Sequence, residues 1–213
     1  MEEQDKTDAE KEGKNASDDK ENKEATSSNE TDETVTDVSD NPQDNDMAEG
    51  YEEAATLSIE IEGTTEEITA SLYHSPLGYK MIYDNERFSI TSDKNGLDNY
   101  IAENLEPEKY PDVYIKISSP NSSDPIITEF EEGKDSIITT SGDIANFVEE
   151  VKIGSNNAKH YKLKTGEEWN SIIRNFYIIK ADENYYVIET QYFLEAAEGF
   201  GARIWAMLNT FEM

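Results

Sequence analysis

Residues 73–84, YHSPLGYKMIYD, hold a turn between two runs of strand-forming residues. Pro76 presets one backbone angle and Gly78 accepts a positive one, so together they supply turn chemistry. Beyond them Tyr79, Met81 and Tyr83 share one parity, the two-residue period of a half-buried strand. His74, one of two histidines in the chain, closes the run before the turn on the parity of Ile68, Ala70 and Leu72. With no second imidazole near it in sequence, packing or capping accounts for His74 better than catalysis.

The same alternation extends in both directions. Upstream, Leu57, Ile59 and Ile61 alternate with Ser58 and Glu60; after EGTTEE, residues 62–67, Ile68, Ala70 and Leu72 alternate with Thr69, Ser71 and Tyr73. Two strands joined by a tight turn follow. Downstream, Phe88 and Ile90 start another strand, and Val113, Ile115 and Ile117 alternate with Tyr114, Lys116 and Ser118. The intervening residues 91–112, TSDKNGLDNYIAENLEPEKYPD, are polar and rich in turn residues, which predicts a long loop.

In residues 122–134, SSDPIITEFEEGK, Asp124 suits an N-cap, Pro125 the first helical position and Gly133 the stop, so a short helix is expected. The segment GDIANFVEEVKIG, 142–154, fits both periods: Ile144, Phe147, Val148 and Val151 have helical spacing, while Phe147, Val151 and Ile153 share strand parity. Its second half is read as a strand. Residues 158–166 set Tyr161 and Leu163 opposite His160, Lys162 and Lys164, which predicts a solvated His160. The run 169–193 has two β-rich halves flanking Asp182, Glu183 and Asn184, a hairpin. Finally Leu194, Ala197, Phe200, Ile204, Met207, Leu208 and Phe211 recur at helical intervals. Gly199 and Gly201 within that stripe predict a bend or a close approach. The expected class is α+β: an antiparallel sheet packed against a C-terminal helix and a short middle helix.

Residues 1–53 obey different physics. They contain one aromatic residue, Tyr51, and are dominated by Glu, Asp, Lys, Asn, Ser and Thr. Such a segment cannot bury enough apolar surface to offset ordering entropy, so a disordered acidic spacer at 1–53 precedes a single domain at 54–213. The whole chain carries 48 acidic against 18 basic residues, a formal charge of −30, which disfavours nucleic acid as a partner. There is no cysteine, so disulfides and thiolate chemistry are excluded. No apolar run is long enough to span a bilayer, so as written the chain reads as soluble.

The stretch SPLGYKMIYDNERFSI, 75–90, resembles the opening hairpin of Mog1/PsbP-like domains. ENYYVIETQYFLEAAEGFGARIWAMLNTFEM, 183–213, is similar to that superfamily's last strand pair, C-terminal helix and terminal strand start. Where many relatives place Pro and Trp after the tyrosine, this chain has Asp84, Asn85, Glu86, Arg87 and Phe88. The resemblance, over 56–213, implies an α/β sandwich used as an accessory or binding module, with no shared catalytic residues. It also implies the style of bacterial lipoproteins, whose polar spacers follow a lipidated cysteine. Any such anchor would lie outside this chain, and the expected location is extracytoplasmic, at the cell surface.

No catalytic, cofactor-binding or metal-binding residue is assigned from sequence, and no cofactor is expected. Two histidines cannot build a three-histidine zinc site, and neither a Gly-x-Ser-x-Gly elbow nor a phosphate-cradling glycine loop occurs. The pairs Glu131-Glu132, Glu149-Glu150 and Glu167-Glu168 sit in polar contexts where solvation is expected. SDKNGLDN, 92–99, groups Asp93, Asn95 and Asp98 around Gly96 and reads as a turn before a weak cation site. Tyr73, Tyr79, Tyr83, Tyr110, Tyr114, Tyr177, Tyr185, Tyr186 and Tyr192 serve equally as groove lining or as ordinary sheet residues. The expected function is a non-enzymatic binding or accessory module with an unknown protein or small-molecule partner. Its rivals are a carboxylate-based hydrolase and a cytoplasmic acidic interaction protein.

Overall fold

A computed structural model describes residues 50–213. The spacer predicted at 1–53 therefore lies almost wholly outside the described residues; at its inner end Tyr51 already begins a strand, three residues ahead of the expected boundary. β1 (Tyr51–Ile61), β2 (Thr64–His74) and β3 (Lys80–Tyr83) form a three-stranded antiparallel sheet in that order. The remaining strands are β4 (Phe88–Ser92), β5 (Leu97–Ala102), β6 (Tyr114–Ser118), β7 (Ser136–Ile138), β8 (Ile144–Ile153), β9 (Asn156–Lys164), β10 (Ile172–Ala181) and β11 (Asn184–Phe193). They form an eight-stranded sheet ordered β4-β5-β6-β11-β10-β9-β8-β7. Helix α1 (Pro125–Glu131) and the C-terminal helix α2 (Ala202–Leu208) complete the fold. Antiparallel sheets with two helices make this an α+β domain.

The turn at 75–78 forms as its residues require: Gly78 has φ +90° and donates its N–H to the Ser75 carbonyl. Tyr79, Met81 and Tyr83 are all buried. The β1–β2 connection is tighter than EGTTEE implied. Only Glu62 and Gly63 form it, both at positive φ, which is the mirror-image turn that matches strand twist. Thr64 to Glu67 pair with β1 although they are exposed, because backbone pairing needs no apolar side chain.

Each face of the large sheet is covered, and this corrects two expectations. One face packs against the small sheet and α2 through Tyr100, Ile115, Ile117, Tyr177, Ile179, Tyr186 and Ile188. The other packs against α1 through Tyr161, Phe176, Ile178, Tyr185 and Val187. Consequently the "polar" parity of β9 also faces a core, and His160 is half-buried rather than solvated. The loop predicted at 91–112 holds a real strand, β5, in its first half. The apolar alternation there was broken because one inward residue is an aspartate, Asp98, 1 % exposed beside fully buried Tyr100.

Two ambiguities resolve physically. Residues 144–153 are one strand with a bulge between Phe147 and Glu149; the extra residue shifts the side-chain parity, so no single period fits. The C-terminal stripe is not one helix. A 3₁₀ turn (Leu194–Ala196) leads into a π-helical turn (Ala197–Gly201) and only then into α2. Both glycines fall in the π turn, where a Cβ on Gly201 would lie 3.4 Å from the Tyr192 ring. Phe211 lies beyond α2, fully buried, and Glu212 bridges to Lys80 at the edge of β3.

Candidate functional site

The face of the large sheet that α1 covers is left open toward β5 and β6, and the strand register writes out what stands there. One row across the strands reads Asn99, Lys116, Glu189, Phe176, Tyr161; the next reads Ile101, Tyr114, Gln191, Arg174, Leu163. A groove of about 190 Å³ lies over the first row, lined by Lys116, Glu189 and Phe176 together with Leu97, Asp124 and Thr140. That is smaller than the roughly 300 Å³ at which pockets for drug-sized ligands begin, and suits one small molecule or one residue of a longer chain.

Through Glu189 the groove joins a polar network in the next row of side chains. The Tyr114 hydroxyl donates to Glu189 Oε1 at 2.6 Å and lies 3.2 Å from Gln191 Oε1. Arg174 Nε donates to Gln191 Oε1 at 2.7 Å, and its Nη1 reaches Ser141 Oγ at 3.3 Å and Asp143 Oδ2 at 3.4 Å. Burial, reinforced by the hydrogen bond to Glu189, pushes the Tyr114 phenol up, well above its ordinary range; it therefore stays a donor at neutral pH. Lys116 differs from Arg174. Its ammonium sits 4.3 Å above the Tyr114 ring and makes no ion pair among the described residues. A fixed hydrogen-bonding wall beside one uncommitted cation is an arrangement for holding an anionic group.

Two acids line this groove, but they are differently occupied. Asp124 caps α1, its Oδ1 accepting from the Ile126 N–H at 3.0 Å, whereas Glu189 receives Tyr114. Among the described residues the carboxylate pairs singled out in the sequence lie elsewhere: Glu131 takes Lys180 and the Tyr185 hydroxyl, Glu132 takes Lys134, and Glu167 takes Lys164. Glu149 and Glu150 are exposed along β8.

The two histidines do not meet in one site. His74 stacks on Tyr51 with ring centroids 4.2 Å apart and lies 3.6 Å from Glu53, a packing role on the small sheet. His160 lies on β9 of the large sheet. It donates from Nε2 to Asn175 Oδ1 at 3.0 Å and stacks on Tyr177, and desolvation holds its pKa below the usual imidazole value.

The 92–99 segment separates in the same way. Asp93 Oδ1 accepts from the N–H groups of Asn95 and Leu97, a local turn, while Asp98 points into the core. There its carboxylate accepts from the Ser75, Tyr79 and Ser92 hydroxyls at 2.5, 2.7 and 2.5 Å. The two carboxylates do not converge on one point. Of the tyrosines considered for a groove, Tyr73, Tyr79, Tyr83, Tyr177, Tyr185 and Tyr186 are core residues; Tyr110 stacks on Phe193, Tyr192 packs partly buried beside Gly201, and Tyr114 alone joins the site.

Lys116, Arg174, Glu189 and Gln191 were not singled out from sequence. Their signal was charged or amide residues at alternate positions of strands otherwise made of Val, Ile and Tyr, but it takes the register to bring three strands' residues together.

Residues 51–212, from the first residue of β1 to the bridge at Glu212, match a family described as a domain of unknown function (DUF8580). The chain belongs to that family. A crystal structure of a protein from Bacteroides thetaiotaomicron VPI-5482 is similar to this DUF8580 domain at 16% identity and a TM-score of 0.41. The similarity covers 63% of this chain and 44% of that one, so the DUF8580 chain matches less than half of that neighbour's length. Neither match is described as Mog1- or PsbP-like. No curated protein matches.

Proposed function

We propose that this DUF8580 domain is a non-enzymatic binding module that takes a small polar ligand with one anionic group on the open face of its large sheet. The observation that carries the reading is Lys116, held over Tyr114 without a carboxylate partner among the described residues and flanked by the Tyr114–Glu189–Gln191–Arg174 network. Lys116 supplies charge, the Glu189 carboxylate accepts from hydroxyls or amides, and Phe176 and Leu97 supply apolar contact. The rival reading, a carboxylate-based hydrolase, draws on Asp124 and Glu189 sharing the groove, but it spends one of its two acids on a helix cap.

The module is displayed outside the cell on the acidic segment 1–53, in the manner of the Mog1/PsbP-like sandwich domains it resembles. Support for that part is compositional: a charged segment nearly free of aromatics leads into a folded domain. Surface proteolysis of intact cells tests it.

The binding site is tested by titrating the ¹⁵N-labelled domain with N-acetyl-glutamine and galacturonic acid. Saturable amide shifts on β5, β6 and β11, weakened at least about tenfold by Lys116→Gln, are expected from the loss of a charge-assisted contact. Shifts confined to other strands, or full binding by Lys116→Gln, would overturn the proposal.

A further inference from the structure

Among the described residues β1 is the terminal strand of the small sheet, so one of its edges has no described strand beside it. The two-residue turn at Glu62–Gly63 makes Ile61 and Thr64 a hydrogen-bonded pair, and pairing alternates from there without a break back to Tyr51. Ile61, Ile59 and Leu57 thus bond to β2. Thr56, Ser58 and Glu60 turn their N–H and C=O groups the other way, and no described backbone group receives them.

Those same three residues line a groove of about 720 Å³ whose far wall is α2: Ala202, Trp205 and Ala206. Small alanines leave room, and Trp205 stands 41 % exposed beside it. A long, uncovered edge strand is a template for another strand, and proteins ordinarily blunt such edges with lysine or proline. Here residues 51–79 hold six glutamates, no lysine or arginine, and no proline within β1 or β2.

We infer that this edge is an interaction surface that accepts an extended, lysine- or arginine-bearing peptide segment of a partner protein as a fourth strand. Main-chain bonds to Thr56, Ser58 and Glu60 supply the pairing, as in other strand-addition complexes. Glu52, Glu53, Glu60, Glu62, Glu66 and Glu67 supply the charge preference. The exposed indole of Trp205 offers an aromatic face on which a cationic side chain stacks. A second copy of this chain would bring two glutamate rows together.

The probe is a synthetic eight-residue peptide alternating lysine with valine, compared with the same peptide carrying glutamate for lysine. Expected are Trp205 fluorescence changes and slowed amide exchange at Thr56, Ser58 and Glu60 with the lysine peptide only. Binding should weaken at least about tenfold between low and high salt, and by a similar factor when Glu52, Glu53, Glu60 and Glu62 become glutamine. Ser58→Pro removes one outward N–H; because it risks the fold, the glutamine variant is the deciding one. Equal binding of both peptides, protection mapping away from β1, or self-association of the free domain through this edge overturns the inference.

Discussion

Replacing Asp98 should cost more stability than any surface change in this domain. Its carboxylate is 1 % exposed and accepts three hydroxyl hydrogen bonds, from Ser75, Tyr79 and Ser92, with no cation beside it among the described residues. Hydrogen bonds to a charged group contribute roughly 1.5–3 kcal/mol each, so the cage is worth on the order of 4–9 kcal/mol before the cost of burying the charge. That burial cost is itself several kcal/mol. The three donors also keep secondary partners: Tyr79 lies 3.0 Å from the Tyr100 hydroxyl, Ser92 2.8 Å from the Tyr73 hydroxyl, and Ser75 Oγ accepts the Leu77 N–H. Offsetting these terms leaves a net loss of about 2–5 kcal/mol for Asp98→Ala, a large share of a typical domain's stability. Asp98→Asn keeps one acceptor oxygen and the shape, and should lose about 1–3 kcal/mol. Urea unfolding followed by tryptophan fluorescence, at constant m-value, measures both. If Asp98→Ala costs less than about 1 kcal/mol, or Asp98→Asn costs more than Asp98→Ala, the hydroxyl cage is not what holds β5 to the small sheet.

Two further changes probe backbone and protonation. Gly154 has φ +56°, and a Cβ there would meet the Phe211 carbonyl oxygen, whereas Gly63 at φ +76° faces open space. Gly63→Ala should cost about 1–2 kcal/mol for the left-handed backbone, and Gly154→Ala distinctly more, read from their Tm and urea midpoints. For His160, desolvation lowers the folded-state pKa below the usual 6.5, so the unfolded chain binds a proton that the folded one refuses. Stability is therefore fully present above about pH 6.5 and falls as pH drops through that value; His160→Gln should flatten this part of the pH–stability curve.

Much of the architecture was legible because burial imposes its period on the sequence. The Pro76–Gly78 turn, the Val113–Ile115–Ile117 alternation and the Asp124–Pro125–Gly133 helix signals each report a local rule, and each element formed where its residues required. Two of the failures share one cause, a tertiary partner that local pattern does not show. β5 was read as loop because hydroxyls from the small sheet and from β4 make Asp98 an acceptable core residue. His160 was placed in solvent because nothing local reveals that its sheet is covered on both sides.

The sequence by itself determined the composition of each strand, the turns, and the absence of thiol chemistry, since these depend on residue type and near neighbours. Tertiary structure decided where Lys116, Glu189, Gln191 and Arg174 meet, because cross-strand register joins residues up to 77 positions apart. It also decided that β1 ends a sheet among the described residues. Whether a strand has a neighbour on both edges depends on chain topology, which no local period records.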